Sequence, residues 1–236
     1  MFVESAEFYD AIYSFKDYAA ESEQIAALIR AAQPAALTVL DIACGTGEHV
    51  RLLSTKHGFD VDGLDINSEL LTVARTKNPT GHFYKADMSD FSLGHTYDAI
   101  VCLFSSIGYL TSLEQVERAL VCFQEHLAPG GVVLVEPWFS PGMLDTSRVS
   151  KNTATYQGRS VIRTSRITVE GRLSRIHFSY EIETPEGIRQ ATEVHELALY
   201  TPKEMGAAFW SAGFVANFDP KGPTGRGLWT ATRVNS

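Results

Sequence analysis

Gly45, Gly47, Asp65 and Asp87 stand at the ends of apolar stretches, where bare backbone and carboxylates can hold a polar ligand between them. Residues 39–47 read Val-Leu-Asp-Ile-Ala-Cys-Gly-Thr-Gly and run into the helix-forming stretch Glu48-His49-Val50-Arg51-Leu52-Leu53. Gly45 and Gly47 can take positive φ and carry no Cβ, so a ligand can lie against backbone at the amino end of that helix. Val50 stands where G-x-G-x-x-G requires its third glycine, and no Lys-Ser or Lys-Thr follows the loop. Neither a dinucleotide fingerprint nor a Walker phosphate cradle therefore fits. What remains is a smaller adenosine ligand whose polar groups are a ribose and an amino acid.

The acid-first loop resembles motif I of class I S-adenosylmethionine (SAM) methyltransferases, which implies that Ala43, Cys44, Gly45 and Gly47 lie against the cofactor. The other acids suit the same ligand. A second strand, Phe59 to Ile66, closes on Asp65, eighteen residues past Gly47, where a carboxylate can accept both ribose hydroxyls. Ile66 would lie flat on adenine. A third strand, His82 to Ala86, ends in Asp87-Met88, where the carboxylate can accept the adenine amino group and the Met88 backbone N–H can meet a ring nitrogen.

These residues need a doubly wound scaffold, and the pattern supplies one. Ile25, Leu28, Ile29 and Ala32 mark an opening amphipathic helix, and a helix through Leu70, Leu71 and Ala74 follows the second strand. Strand four is expected at Tyr97 to Phe104. Thr111-Ser112-Leu113-Glu114 reads as a capping box, before a helix marked by Leu113, Val116, Leu120, Phe123 and Leu127 that stops at Pro129-Gly130-Gly131. Strand five is expected at Val132 to Val135. Thr201-Pro202-Lys203-Glu204 caps a last helix before strands at Phe214 to Asp219 and Gly227 to Val234. The expected fold is α/β, a mostly parallel seven-stranded Rossmann-like sheet with an antiparallel hairpin at one edge.

Between strand five and the last helix the period changes. Ile176, Phe178, Tyr180 and Ile182 alternate with Arg175, His177, Ser179 and Glu181, as a half-exposed antiparallel strand does. Gly171 and Thr184-Pro185-Glu186-Gly187 supply turns, so three strands in a meander are expected. Residues 1–136 and 201–236 thus form the SAM-binding domain with an amino-terminal helical arm, and 137–200 an inserted antiparallel lid over the carboxyl ends of the parallel strands.

Composition bounds the function classes. The 236 residues are 44% hydrophobic and 20% charged, which suits one soluble globule with a sizeable core. The amino terminus carries acids and no basic or long apolar run, so secretion and membrane spanning are not expected. Three cysteines, Cys44, Cys102 and Cys122, lack paired metal spacing and suit a reducing cytoplasm; no metal site is expected. Formal charge is −8, yet Arg148, Lys151, Arg159, Arg163, Arg166, Arg172 and Arg175 face Glu170 alone across 148–175. Two readings stay open: a solvated face of exposed strands, or a site for an anionic substrate such as a diphosphate. A polynucleotide would call for a wider basic surface, and strand four ends in Leu103-Phe104-Ser105-Ser106-Ile107 rather than the Asn/Asp-Pro-Pro-aromatic tetrad of adenine methylases.

Over nearly its whole length the chain resembles the N,N-dimethyltransferases that finish amino sugars of macrolide antibiotics, such as desosamine or mycaminose, on a thymidine-diphosphate carrier. The matching pieces are Tyr9-Asp10 with Tyr13, Lys16-Asp17-Tyr18-Ala19-Ala20-Glu21, the glycine loop, Phe104-Ser105-Ser106-Ile107-Gly108-Tyr109-Leu110, Glu125-His126-Leu127, Val135-Glu136-Pro137-Trp138 and Gly222-Pro223-Thr224-Gly225-Arg226-Gly227-Leu228. The link between Tyr13 and Lys16 is shorter than in those enzymes, and the lid matches poorly.

The resemblance implies a site. Leu103 and Phe104 would join the cofactor contacts and Tyr18 would bond the SAM carboxylate. Tyr9, Ser106, Trp138 and Arg226 would meet the substrate, with the planar fork of Arg226 on the phosphates. The chemistry asks only that a neutral amine be held in line with an electrophilic methyl, kept dry and relieved of one proton. His126 is the candidate base and Tyr13 the other polar candidate, each expected to orient the amine more than to drive the reaction. For His126 the reading of a helix-terminal histidine meeting the dipole stays open beside it. Another small-molecule N- or O-methyltransferase, or a non-catalytic SAM-binding module, would share the cofactor site; monomer and homodimer are both left open.

Overall fold

The structure, a computed structural model, describes residues 6–234. A short α1 (Tyr9–Ile12) and a long α2 (Tyr18–Ala32) precede β1 (Thr38–Ile42). Then come α3 (Glu48–His57), β2 (Asp60–Asp65), α4 (Ser68–Lys77), β3 (Phe83–Lys85) and β4 (Tyr97–Cys102). A 3₁₀ turn at Ser106–Tyr109 leads to α5 (Leu113–Glu125) and β5 (Leu127–Val135). Four strands follow, β6 (Val149–Tyr156), β7 (Arg159–Glu170), β8 (Leu173–Thr184) and β9 (Gly187–Ala198), before α6 (Pro202–Ser211), β10 (Phe214–Asp219) and β11 (Leu228–Arg233).

The main sheet has seven strands in the order β10-β11-β5-β4-β1-β2-β3. Its inner strands run parallel, β1 pairing Val39 with Val61 of β2 and with Ala99 of β4, while β11 runs antiparallel to both β5 and β10. This is the class I methyltransferase fold. The apolar runs 99–102 of β4 and 132–135 of β5 are unbroken because helices cover both faces. On one face Val116, Ala119, Leu120 and Phe123 of α5 pack with Met205, Ala208 and Phe209 of α6; on the other Ile25 and Ile29 of α2 pack with Val50, Leu53 and Leu71. Each such buried Val, Leu, Ile, Met or Phe side chain stabilises the fold by about 1.5–3 kcal/mol.

Local signals in the sequence decide most element ends. Thr201 caps α6 with Glu204 reaching back, as its sequence predicts. At α5 the reciprocal box is Ser112 with Gln115, one residue later than Thr111 with Glu114. β5 begins at Leu127 rather than Val132: Gly130 takes a φ of 77°, and a Cβ on Gly131 would stand 2.8 Å from the Asp98 carbonyl, so these glycines let the strand pair early instead of breaking it.

The second sheet is a meander of four strands, β6-β7-β8-β9, where three were expected. Gln157 and Gly158 both take positive φ, 49° and 77°, and close β6 onto β7 by a two-residue turn. Its inner face packs Val161, Phe178, Tyr180 and Ile182 against Phe8, Tyr9, Ile12 and Tyr13 of the amino-terminal arm.

Candidate functional site

The glycine loop leaves β1 through three left-handed residues. Ala43 and Gly45 both have φ of 56° and Gly47 73°, and Gly47 caps α3. A Cβ on Gly45 would meet nothing within 4 Å, so its face opens onto a cleft. Gly47 is required for a different reason: a Cβ there would stand 2.7 Å from Asn78 Nδ2, which donates to the Gly47 carbonyl. The Cys44 side chain turns away from the cleft toward Gly63 and Phe83, so only its backbone faces the ligand side of the loop.

Asp65 closes the loop from β2. Its Oδ2 accepts the Gly45 N–H and its Oδ1 the Asn67 N–H, each at 2.8 Å. Burial raises its pKa, and the backbone donors oppose that shift. The remaining lone pairs border a cleft of about 810 Å³, open mouth included, lined by Ala43, Gly45, Asp65, Ile66, Asp87 and Met88 among others. That size suits an adenosine ligand. Ile66 is 52% exposed on the wall, a large apolar surface on which a planar group can lie. Asp87 Oδ1 already accepts the Ser89 N–H and hydroxyl, which aims the carboxylate. Behind the loop, Asp41 is 2% exposed with Oδ2 unpartnered, and burial, with Asp65 nearby, pushes its pKa to about 8. An open glycine face and a buried carboxylate bordering one cleft fit an adenosine cofactor.

A second cavity, about 630 Å³ with its mouth, is lined by Tyr13, Phe104, Trp138, Phe178, Leu197 and Arg226. Tyr9, Ser106 and Tyr109 line both cavities. The junction rests on strained backbone, since Phe104 and Ser105 take φ of 53° and 62°. Such residues cost about 1–3 kcal/mol each and persist only where the surroundings fix them. Glu136, 1% exposed, supplies that fixing: Oε2 accepts the Phe104 N–H at 2.6 Å, and Oε1 accepts Thr224 Oγ1 and Arg226 Nε and Nη2. Ser105 Oγ donates to the Pro137 carbonyl at 2.7 Å. Trp138 Nε1 donates to Ser174 Oγ at 2.9 Å, so the indole is held against the meander.

His126 does not reach either cavity. It caps α5 at the amino end of β4, where its carbonyl accepts the Tyr97 N–H, opposite the strand ends that carry the cleft. Both ring nitrogens are used: Nδ1 donates to the Cys122 carbonyl at 2.7 Å and Nε2 accepts the Leu93 N–H at 2.9 Å. The assignment of His126 as base is therefore corrected to the helix-terminal role. Tyr18 also lies outside the cleft lining. It packs edge-on against His49 beside a surface cavity with Asp10, Lys16 and Lys77. Leu103 is core and lines neither cavity.

Two cations of the basic segment are neutralised by acids. Arg175 pairs with Glu170 and Glu196, and Arg172 with Glu204, which realises the solvated-face reading for these two. Arg163 differs: it is 7% exposed, its guanidinium 4.7 Å from the Tyr13 ring centre and 4.9 Å from that of Phe178. Sequence reading missed Lys16 as well, a half-buried cation paired with Glu21 and lying over the rings of Tyr18 and Phe104. Burial lowers its pKa.

A glycine loop at the carboxyl end of β1, an acid closing β2 and a second cavity opening onto the same edge define a SAM-dependent methyltransferase. The family described as "Methyltransferase domain" matches residues 39–131. The dTDP-3-amino-3,6-dideoxy-alpha-D-glucopyranose N,N-dimethyltransferase of Streptomyces fradiae is 40% identical over 96% of this chain and 90% of its own. The crystal structure of DesVI from Streptomyces venezuelae superposes with a TM-score of 0.91 at 39% identity, covering 98% of this chain and 99% of its own. SAM-bound CalS10, an amino pentose methyltransferase from Micromonospora echinaspora, gives 0.86 at 36% identity, with 96% of each chain covered. The chain belongs to the family of SAM-dependent dTDP-amino-sugar N,N-dimethyltransferases.

Proposed function

We propose that the protein methylates the amino group of an amino deoxysugar carried on a nucleoside diphosphate, dTDP by its likeness to the relatives above. The observation that carries this reading is the sharing of Tyr9, Ser106 and Tyr109 by the two cavities, so that a group in one meets a group in the other at that wall. SAM, when bound, supplies an electrophilic methyl, and no metal chemistry is needed for its transfer.

The residues of this chain position the partners. Asp65, Ile66, Asp87 and Met88 hold the adenosine side, and the backbone of Ala43 to Gly47 the amino-acid side. Arg226, steadied by Glu136, turns its remaining N–H groups to the phosphates, and Trp138 walls the sugar. Tyr13, whose pKa burial raises, keeps its phenolic proton and orients the amine by hydrogen bonding. Residues 137–200 act as the lid that excludes water. No described helix is long and apolar enough to cross a membrane, and the cysteines are free thiols, which suits work in the cytoplasm.

The test is product analysis by mass spectrometry after incubation with SAM and a panel of dTDP-amino sugars, free amino sugars and unrelated amines. Methylation confined to the nucleotide-linked sugars is expected. Preference for a free amine would point to another small-molecule methyltransferase, and SAM binding with no S-adenosylhomocysteine released would point to a non-catalytic module.

A further inference from the structure

A buried polar chain runs back from the wall between the two cavities. The hydroxyl of Tyr109, on the 3₁₀ turn after β4, lies 2.7 Å from His195 Nδ1. His195, on β9, is 2% exposed, and its Nε2 is 3.4 Å from Glu193 Oε2. Tyr180 on β8 donates to that same oxygen at 3.0 Å, and the Phe178 ring packs edge-on against the imidazole with centres 5.2 Å apart. Glu193 and His195 are two apart on one strand, so both face inward, while Val194 between them is 52% exposed. An apolar residue turned out and two titratable ones turned in invert the usual pattern and incur the cost of burying polar groups. Pinning the meander to the turn would need one hydrogen bond, not a graded row ending in a carboxylate.

We propose that Tyr109, His195 and Glu193 form a relay that takes the proton the sugar amine must lose, an inference that rests on the function proposed above. A sugar amine reaches the enzyme largely as its ammonium form, and only the neutral amine has a lone pair to attack. In the relay one ammonium N–H bond breaks and its electron pair stays on nitrogen. The proton passes to Tyr109 Oη as the original Tyr109 proton passes to His195 Nδ1, and the imidazolium so formed is held by Glu193 at Nε2. Tyr109 is a conduit and not the final acceptor, because burial keeps its pKa well above the ordinary value. The proton leaves His195 for water when the site reopens, and a second methylation uses the same route.

The titratable and charged groups around the relay are Tyr9 and Tyr13 from the amino-terminal arm, Asp65 from β2, Arg163 from β7, Tyr180 from β8 and Glu193 from β9. None of these is altered in the variants that test it. His195→Asn keeps an amide near the position of Nδ1 to bond Tyr109 but cannot take a proton, and Tyr109→Phe removes the hydroxyl. Steady-state rates with SAM and a dTDP-amino sugar across pH 6 to 10 are compared, with SAM affinity and melting temperature as controls for folding. For each variant kcat at neutral pH should fall about 10²-fold, within the range for general-base catalysis, and recover as rising pH supplies neutral amine from solution. The wild-type rate should rise far less over the same range. A loss equal at every pH, or no loss, in a folded SAM-binding variant overturns the relay and leaves His195 as a structural pin. If His195→Asn does not fold, Tyr109→Phe gives the same readout. Wild-type enzyme inactive on all nucleotide-linked amino sugars overturns the substrate reading and the relay built on it, whereas an active wild type with parallel losses overturns the relay alone.

Discussion

Arg226 lays Nε and Nη2 on one oxygen of Glu136, at 3.1 and 2.8 Å, while the other oxygen of that carboxylate takes the Phe104 backbone N–H. One nearly fully buried acid therefore joins the end of β5, the left-handed turn after β4 and the loop before β11. The same contact sets the guanidinium 5.3 Å from the Phe104 ring centre and 5.9 Å from that of Trp138, at the acceptor cavity.

Arg226→Ala should accordingly have two effects. Sugar-nucleotide affinity should drop by more than about tenfold with SAM affinity kept, and the melting temperature should fall because a buried Glu136 loses its cation, a loss on the order of 3–5 kcal/mol. Arg226→Lys should restore most of the stability and only part of the affinity, since an ammonium lacks the planar fork. Calorimetry with each ligand and thermal melts check this; equal loss of both ligands would assign Arg226 to the fold alone.

Asp65→Asn should weaken SAM binding by about tenfold or more. The amide offers one acceptor where the carboxylate serves the Gly45 and Asn67 N–H groups, and charged hydrogen bonds contribute about 1.5–3 kcal/mol each. An unchanged SAM dissociation constant in a folded variant removes the ribose from Asp65.

Asp41 gives a pH prediction. Its carboxyl titrates at about 8 when folded against an ordinary 3.8, so the folded protein holds a proton that the unfolded chain releases between those values. The stability this confers is complete below the ordinary value, declines as pH rises through the window and is gone above the folded pKa. Asp41→Asn carries no such proton, so its stability should gain on wild type by about 1 kcal/mol per pH unit between pH 5 and 8, or a few degrees in melting temperature. Parallel melting curves across that range would contradict it.

His126→Ala should keep kcat. It should lose about 1–3 kcal/mol of stability, because the Leu93 N–H is left without its acceptor. Equilibrium unfolding and kinetics on the same preparation separate the two effects, and a collapse of kcat in a stable variant would contradict the placement of His126.

The cofactor half of the site was legible because it is local: an apolar strand, an acid and two glycines are contiguous, and Asp65 and Asp87 end strands whose order the helix pattern sets. The acceptor half was not. His126 has a suitable titration range, but it ends a helix that feeds a parallel strand, and such a terminus falls at the amino edge of the sheet, away from the ligand edge. Tyr109 was read only as part of a family stretch, though a hydroxyl just past the carboxyl end of β4 sits where such sheets bind ligands. Glu193 and His195 had a signal in the inverted alternation around Val194. β6 had almost none, because Val149–Tyr156 is a half-exposed edge with small polar residues on both faces and no apolar stripe to mark its period.

A crystal structure with S-adenosylhomocysteine and a dTDP-amino sugar bound together tests the central claim most directly. Adenosine should lie between Asp65 and Asp87, the diphosphate on Arg226, and the sugar amine at the wall of Tyr9, Ser106 and Tyr109, facing the cofactor sulfur. A nucleotide bound elsewhere, or a sugar amine pointing away from that wall, would contradict it.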